Sequence, residues 1–240
     1  MSAETKDVSY LDEVAGQGFE SMGGDETTVP RLLISQQLSQ SVQDGSIQAG
    51  HFYNSVTGKD YGTSLDVIVC HFSKVWIAWK PNGGGYVGTY QVGSIEVTGD
   101  NFSGMKDKEG NDVTETWAYL VILPEHLEDG YLVFQSTRGN LKYLKSWNTQ
   151  MKFLRTPSGK PAPLFSAIWN LTLGKDTNKK GQTYYSCNVN GKSSAVHKDW
   201  VPGSLFTEYV SPAREIATQA IALTDNRTNI EAIESDETSY

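Results

Sequence analysis

The chain has 240 residues, 38% hydrophobic, 20% charged and 11% aromatic, which suits one large domain with tails and supplies enough apolar material for a packed core. The formal charge of −8, taken over the whole chain, argues against a simple polyanion binder. No run approaches the length of about 18 apolar residues that a membrane-spanning helix needs, and the polar, acidic start is unlike a secretory signal, so a soluble cytoplasmic protein is expected.

Residues 1–28 are polar, acidic and glycine-rich and read as a loosely attached arm. Residues 29–42, with Pro30 near the start, suit a short helix or a strand, and residues 51–58 a short strand running into a turn. A β-branched, aromatic run then predicts one strand over 65–72 and another over 74–80, or a continuation of the first past a bulge at Ser73. In the second, Lys74, Trp76, Ala78 and Lys80 alternate with Val75, Ile77 and Trp79, the period of a half-buried strand. Pro81 and the glycines at 83–85 break the sheet. Residues 98–115, charged and glycine-containing, read as an exposed loop or hairpin tip, and strands follow over 116–123 and 131–136.

Asn140 is placed to cap a helix over 140–155, with Leu144, Trp147, Met151 and Leu154 on one face and Lys142, Lys145 and Lys152 on an adjacent arc. Residues 165–173 and 182–189 read as a strand pair around 174–181. Residues 211–223 suit a final helix, with Ser211 as cap and Pro212 in its first turn. Residues 224–240 carry four carboxylates in the last ten positions, end in Tyr240, and read as a disordered acidic tail. The organisation is thus an arm over 1–28, a folded domain over 29–223 and a tail over 224–240. The order of elements predicts a mainly β fold with a few helices, an OB-like Greek-key barrel with additions. Other small barrels and α+β sandwiches fit the same string.

Charge is segregated along the chain. Residues 130–198 hold eleven basic side chains against one acid, Asp176, whereas residues 1–60 hold three against nine. Surfaces that are merely solvated mix both signs. Tyr131, Phe134, Tyr143, Trp147, Phe153, Phe165, Trp169, Tyr184 and Tyr185 are interleaved with these cations. Such a mixture suits single-stranded nucleic acid, in which phosphates are neutralised and unpaired bases stack on rings.

Catalytic patterns are weak. The four histidines form no HExxH, the Gly83-Gly84-Gly85-Tyr86-Val87-Gly88 run lacks a GK[ST] ending, and no GxSxG occurs. Glu125, Glu128 and Asp129 share one polar connection and read as a solvated loop rather than a magnesium site. Cys70 and Cys187 are far apart, form no CxxC pair with which a zinc site would begin, and read as small apolar groups. No enzyme, metal or cofactor is expected.

A basic, aromatic β-barrel followed by an acidic tail with a terminal aromatic resembles phage-encoded single-stranded DNA-binding proteins. The segments Ala15-Gly16-Gln17-Gly18-Phe19-Glu20, Val29-Pro30-Arg31-Leu32, Gly50-His51-Phe52-Tyr53-Asn54 and Val56-Thr57-Gly58 also resemble small, mostly uncharacterised proteins of phage replication clusters. The tail departs from bacterial-type tails in lacking a dense aspartate run and a terminal Pro-Phe. The resemblance implies a protein of the host cytoplasm that covers single-stranded DNA and recruits replication or recombination proteins through its tail. The candidate DNA-binding residues are Lys74, Trp76, Trp79, Lys80, Arg138, Lys142, Lys145, Lys152, Arg155, Lys175, Lys179, Lys180, Tyr184 and Tyr185. Trp79 is equally placed to be core, and Trp147 and Trp169 are expected in the core. Glu234, Asp236, Glu237 and Tyr240 are the candidate partner-binding residues. The alternative is a protein-interaction or inhibitor module whose basic block meets an acidic protein surface and which binds no DNA.

Overall fold

A computed structural model describes residues 28–100, 104–137, 141–177, 181–189 and 192–219; the expected arm, except for residue 28, and the expected tail lie outside these residues. The strands in chain order are β1 (Arg31–Ile34), β2 (Phe52–Asn54), β3 (Asp60–Gly62), β4 (Ser64–Trp79), β5 (Tyr86–Gln91), β6 (Val97–Asp100), β7 (Gly104–Asp107) and β8 (Asp112–Ile122). They continue as β9 (Tyr131–Thr137), β10 (Ala167–Thr172), β11 (Gly174–Thr177), β12 (Thr183–Ser186), β13 (Asn188–Val189), β14 (Lys192–Ser193) and β15 (Val196–Trp200). The helices are α1 (Gln40–Gln43), α2 (Leu141–Phe153) and α3 (Ser211–Gln219). The chain is mainly β, and its large sheet curls into a half-barrel.

The sheet path is β15-β10-β4-β8-β9-β1-β2-β3, with β5 on β4 and the β6–β7 hairpin on β8. β1 joins β9 in parallel; the other pairs are antiparallel. Residues 29–42 therefore hold both expected forms, a strand and then a short helix.

β4 is the spine, a single strand of 16 residues rich in the β-branched and aromatic types that fit a pleated, half-buried surface. Its register against β8 shifts between Val69 and His71. The bulge thus falls at Cys70 and not at Ser73. An extra residue there changes the phase of the alternation. Val67, Val69 and Phe72 face one core, while Ile68 and Cys70 face another. Uninterrupted alternation would have turned His71 and Ser73 to the first core in place of Phe72.

Two layers cover the sheet. On one face α2 buries Leu141, Leu144, Trp147 and Met151 against Val67, Val69, Tyr119, Val121, Leu132 and Phe134. Trp147 stacks on Tyr119 with centroids 5.1 Å apart, and the edge of Trp169 meets it at 6.2 Å. Each such fully buried large side chain contributes about 1.5–3 kcal/mol from removal of apolar surface. On the other face, Val210, Ala213 and Ala217 pack on Ile68, Cys70, Leu120, Ile122 and Val133. Both cysteines are buried, and burial pushes each thiol up to about 12.

Two expectations need correction. The segment 165–173 does not pair with 182–189. β10 instead lies between β4 and β15, and β12 pairs with the short β11. Its alternating Ala167, Trp169 and Leu171 belong to the main core, and only a central position in the sheet buries them. The last helix starts at Ser211 as expected, but Ser211 has helical backbone and is not its cap. Helical backbone begins at Gly203 and passes through a π-helical stretch, Phe206–Val210, into α3. Pro212 has no N–H to return to the preceding turn, which accounts for widening of the helix just before it.

Candidate nucleic-acid interface

Among the described lysines, four are held by carboxylates. Lys59 is held by Glu128 at 2.6 Å and Asp129 at 2.8 Å, Lys106 by Asp112 at 2.8 Å and Lys108 by Glu96 at 2.8 Å. Lys198 is bound to the buried carboxylate of Asp66, whose other oxygen accepts from Asn170 at 2.7 Å. By contrast Lys142, Lys145, Lys152, Lys160, Lys175 and Lys192 are exposed and make no ion pair among the described residues.

Helix α2 gathers half of these free ammonium groups. Its apolar residues are consumed by the sheet, so Lys142, Lys145 and Lys152 are left along the outer arc. Phe153 stands on that arc too, 65% exposed, where helical periodicity sets it nearly opposite Met151. Thirteen residues give this face a length of about 20 Å. At its C-terminal end Arg155 turns back to donate to the carbonyls of Lys152 at 3.4 Å and Leu154 at 3.2 Å, capping the helix.

Asp176, the single acid of the basic block, does not neutralise the surface lysines. Its Oδ2 accepts from Tyr143 at 3.2 Å, Tyr184 at 3.1 Å and Asn188 at 3.0 Å, and its Oδ1 accepts from the Thr177 amide at 2.8 Å. The Thr177 amide does most to hold its carboxyl below the usual aspartate value, with the two tyrosine hydroxyls assisting. The β11–β12 hairpin, with Lys175, is thereby tied to the start of α2, where Lys142 lies 4.5 Å over the Tyr143 ring. β14, with Lys192, also lies against α2.

At the other end of α2 the sheet has a gap. β4 is flanked by β10 as far as Ile68 and by β5 from Val75 onward, which leaves residues 69–74 with no strand on that edge. A cleft of about 390 Å³ opens there, lined by His71, Phe72, Asn148, Met151, Lys152, Ala162 and Leu164. Phe72 is half-buried and meets Trp117 edge-on at 5.6 Å and Tyr119 at 5.0 Å. Lys74 lies 5.0 Å above the Trp117 ring. Burial, and then Arg214, lower the His71 pKa, so its ring is neutral near pH 7.

The structure engages each sequence-predicted aromatic within the fold, and of them Tyr184 is tied to the basic helix through Asp176. Trp76 is half-buried against a small third core of Ala78, Met105 and Val113. Trp79 is half-buried too and meets Tyr86 edge-on at 5.8 Å. Tyr184 is engaged by Asp176, and burial with that contact pushes its hydroxyl up to about 12. The backbone of Tyr185 is clasped by Gln36 at 2.8 and 3.0 Å, and its ring lies over Gly50. Lys80 is exposed at the turn after β4. Arg138, Lys179, Lys180, Glu234, Asp236, Glu237 and Tyr240 lie outside the described residues. Trp147 and Trp169 are in the core, as expected. Sequence reasoning missed Phe153 and Phe72 as candidates. The helical wheel carries the signal for Phe153, whereas that for Phe72 depends on the bulge.

The acidic connection brings three potential metal ligands together. Ligand atoms of His126, Glu128 and Asp129 lie within 4.8 Å of one another. The Lys59 ammonium already contacts both carboxylates, and the Tyr61 hydroxyl donates to Asp129 at 2.9 Å. A cation is therefore supplied from within the chain.

A family model described as Pam3 phage gp34-like protein matches residues 3–211. The chain belongs to this family. The matched region takes in α2, both small hairpins and the cleft, and stops before the expected tail. The likeness to phage-encoded proteins thus holds at the level of a phage-protein family. No curated protein and no solved structure matches the chain. Among the described residues of this family member, no helix is long and apolar enough to cross a membrane.

Proposed function

We propose that the chain is a sequence-independent single-stranded DNA-binding protein acting in phage-type DNA replication or recombination. The observation that carries this reading is the contrast in pairing. Lys59, Lys106, Lys108 and Lys198 are matched to carboxylates, while among the described residues the lysines along α2 and its flanking hairpins, and Lys74 and Lys80 at the end of β4, have none. Unmatched cations on one face are electrostatically costly unless a polyanion neutralises them. Phosphates do so with release of counterions, and the exposed ring of Phe153 offers a face for an unpaired base. The arm and tail acids leave the net charge negative without touching this argument, because the local field draws the partner.

The test is fluorescence anisotropy of a labelled single-stranded oligonucleotide at two salt concentrations, with and without a matching unlabelled duplex. Binding that weakens steeply with salt and resists the duplex supports the proposal. Absence of binding at low salt overturns it and favours the alternative, in which the basic face docks on an acidic protein surface.

A further inference from the structure

We infer that the cleft at the gap in the sheet edge is a nucleobase subsite, one that receives a single unstacked base of the bound strand without selecting its identity. The inference rests on the proposed DNA-binding function and deepens it. The cleft is mostly apolar, with Phe72, Met151, Ala162 and Leu164 in its walls. Its volume of about 390 Å³ exceeds what one base needs. Lys152 belongs both to the cleft and to the basic arc of α2, so a phosphate held by its ammonium brings the attached base to the opening.

Asn148 explains indifference to sequence. Its Oδ1 accepts the Tyr119 hydroxyl at 3.0 Å, which fixes the orientation of the amide and occupies one lone pair of its oxygen. Its Nδ2 has no partner among the described residues. The side chain is therefore held with its Nδ2 hydrogens available to donate. Every base offers at least one ring-nitrogen or carbonyl acceptor, so a lone donor accepts all four. The neutral His71 ring adds no charge at the rim. The Phe72 ring, braced by Trp117 and Tyr119, provides an apolar wall for the base.

The experiment compares an oligothymidylate with an abasic strand of equal length, using the whole chain and two variants. Ala162→Phe fills the cleft. Asn148→Asp keeps an acceptor for Tyr119 but replaces the donor with a carboxylate. Thermal melts establish that each variant is folded, and the conclusion is drawn from whichever is. The unaltered chain is expected to bind the abasic strand about tenfold more weakly, the scale of a lost base–aromatic contact. In either variant this discrimination falls to the part that stacking on Phe153 supplies, and in Ala162→Phe the slope of affinity against salt is kept. Equal binding of both strands by the unaltered chain, or full discrimination retained in a folded variant, overturns the subsite and leaves the DNA-binding proposal standing. Failure to bind either strand at low salt overturns both.

Discussion

The hydroxyl of Tyr143 on α2 donates to Oδ2 of Asp176 on β11 at 3.2 Å. Through this contact the only acid of the basic block joins its helix to its hairpin, taken up by hydrogen bonds rather than by an ion pair with the neighbouring lysines. Asp176→Ala leaves four donors without their acceptor, at a cost of about 1–3 kcal/mol in denaturant melts. The acid dependence has a definite sign. The folded carboxyl titrates below its ordinary value, so its contribution is complete above about pH 4 and is lost as pH falls through the lowered value. The stability gap between the native chain and the variant is expected to stay constant above about pH 4 and to close below it. A gap that persists in strong acid counts against this role.

Lys145→Glu with Lys152→Glu reverses two charges on the outer arc of α2, and neither residue has an ion pair to lose. Melting temperature is expected to change little. Affinity for a single-stranded oligonucleotide falls, and the salt slope becomes shallower by about 1.4, the value for two phosphate contacts. An unchanged slope in the double variant would move the binding face away from α2.

Phe153→Ala separates stacking from folding. The ring is 65% exposed and packs on no core cluster, so truncation leaves stability within about 0.5 kcal/mol. Oligonucleotide affinity is expected to drop by about 1–3 kcal/mol while the salt slope holds. Equal affinity in anisotropy titrations would remove Phe153 from the interface.

Gly50→Ala tests how the β11–β12 hairpin is seated. Gly50 has φ +82°, and a Cβ there would fall 2.6 Å from the Tyr185 ring. Strain and clash together are expected to cost more than about 1 kcal/mol, seen as a lower denaturation midpoint. Amide exchange in β12 should quicken, because Gln36 holds the Tyr185 backbone only while the ring stays in place.

Removal of residues 225–240 deletes five acidic side chains. A competing polyanion is then lost, and tighter DNA binding at low salt is expected, with the difference vanishing at high salt. Equal affinity for the full and shortened chains at low salt would exclude occupation of the basic face by this segment.

Local periodicity made the helix legible. Residues 140–155 were expected, and α2 occupies Leu141–Phe153 with Leu144, Trp147 and Met151 buried. A helix repeats over a few residues, so its inner and outer faces are written in adjacent positions. Partners in a sheet are not so written. Whether residues 165–173 pair with 182–189, or lie between β4 and β15, depends on contacts across about a hundred residues, including Trp169 with Val67. The bulge at Cys70 was hidden for the same reason, since either phase of β4 leaves a plausible strand until β8 sets the register.

The sequence by itself determined that the chain is mainly β with one amphipathic basic helix, and that positive charge concentrates between residues 130 and 198. It did so because composition and short-range period are local properties. Only the tertiary structure decided which lysines are matched and which are free, that Asp176 is an internal tie, and that Phe72 and Lys152 border one cleft. Pairing and burial are relations between segments far apart in the chain. Their outcome follows from how the two faces of one curled sheet are covered.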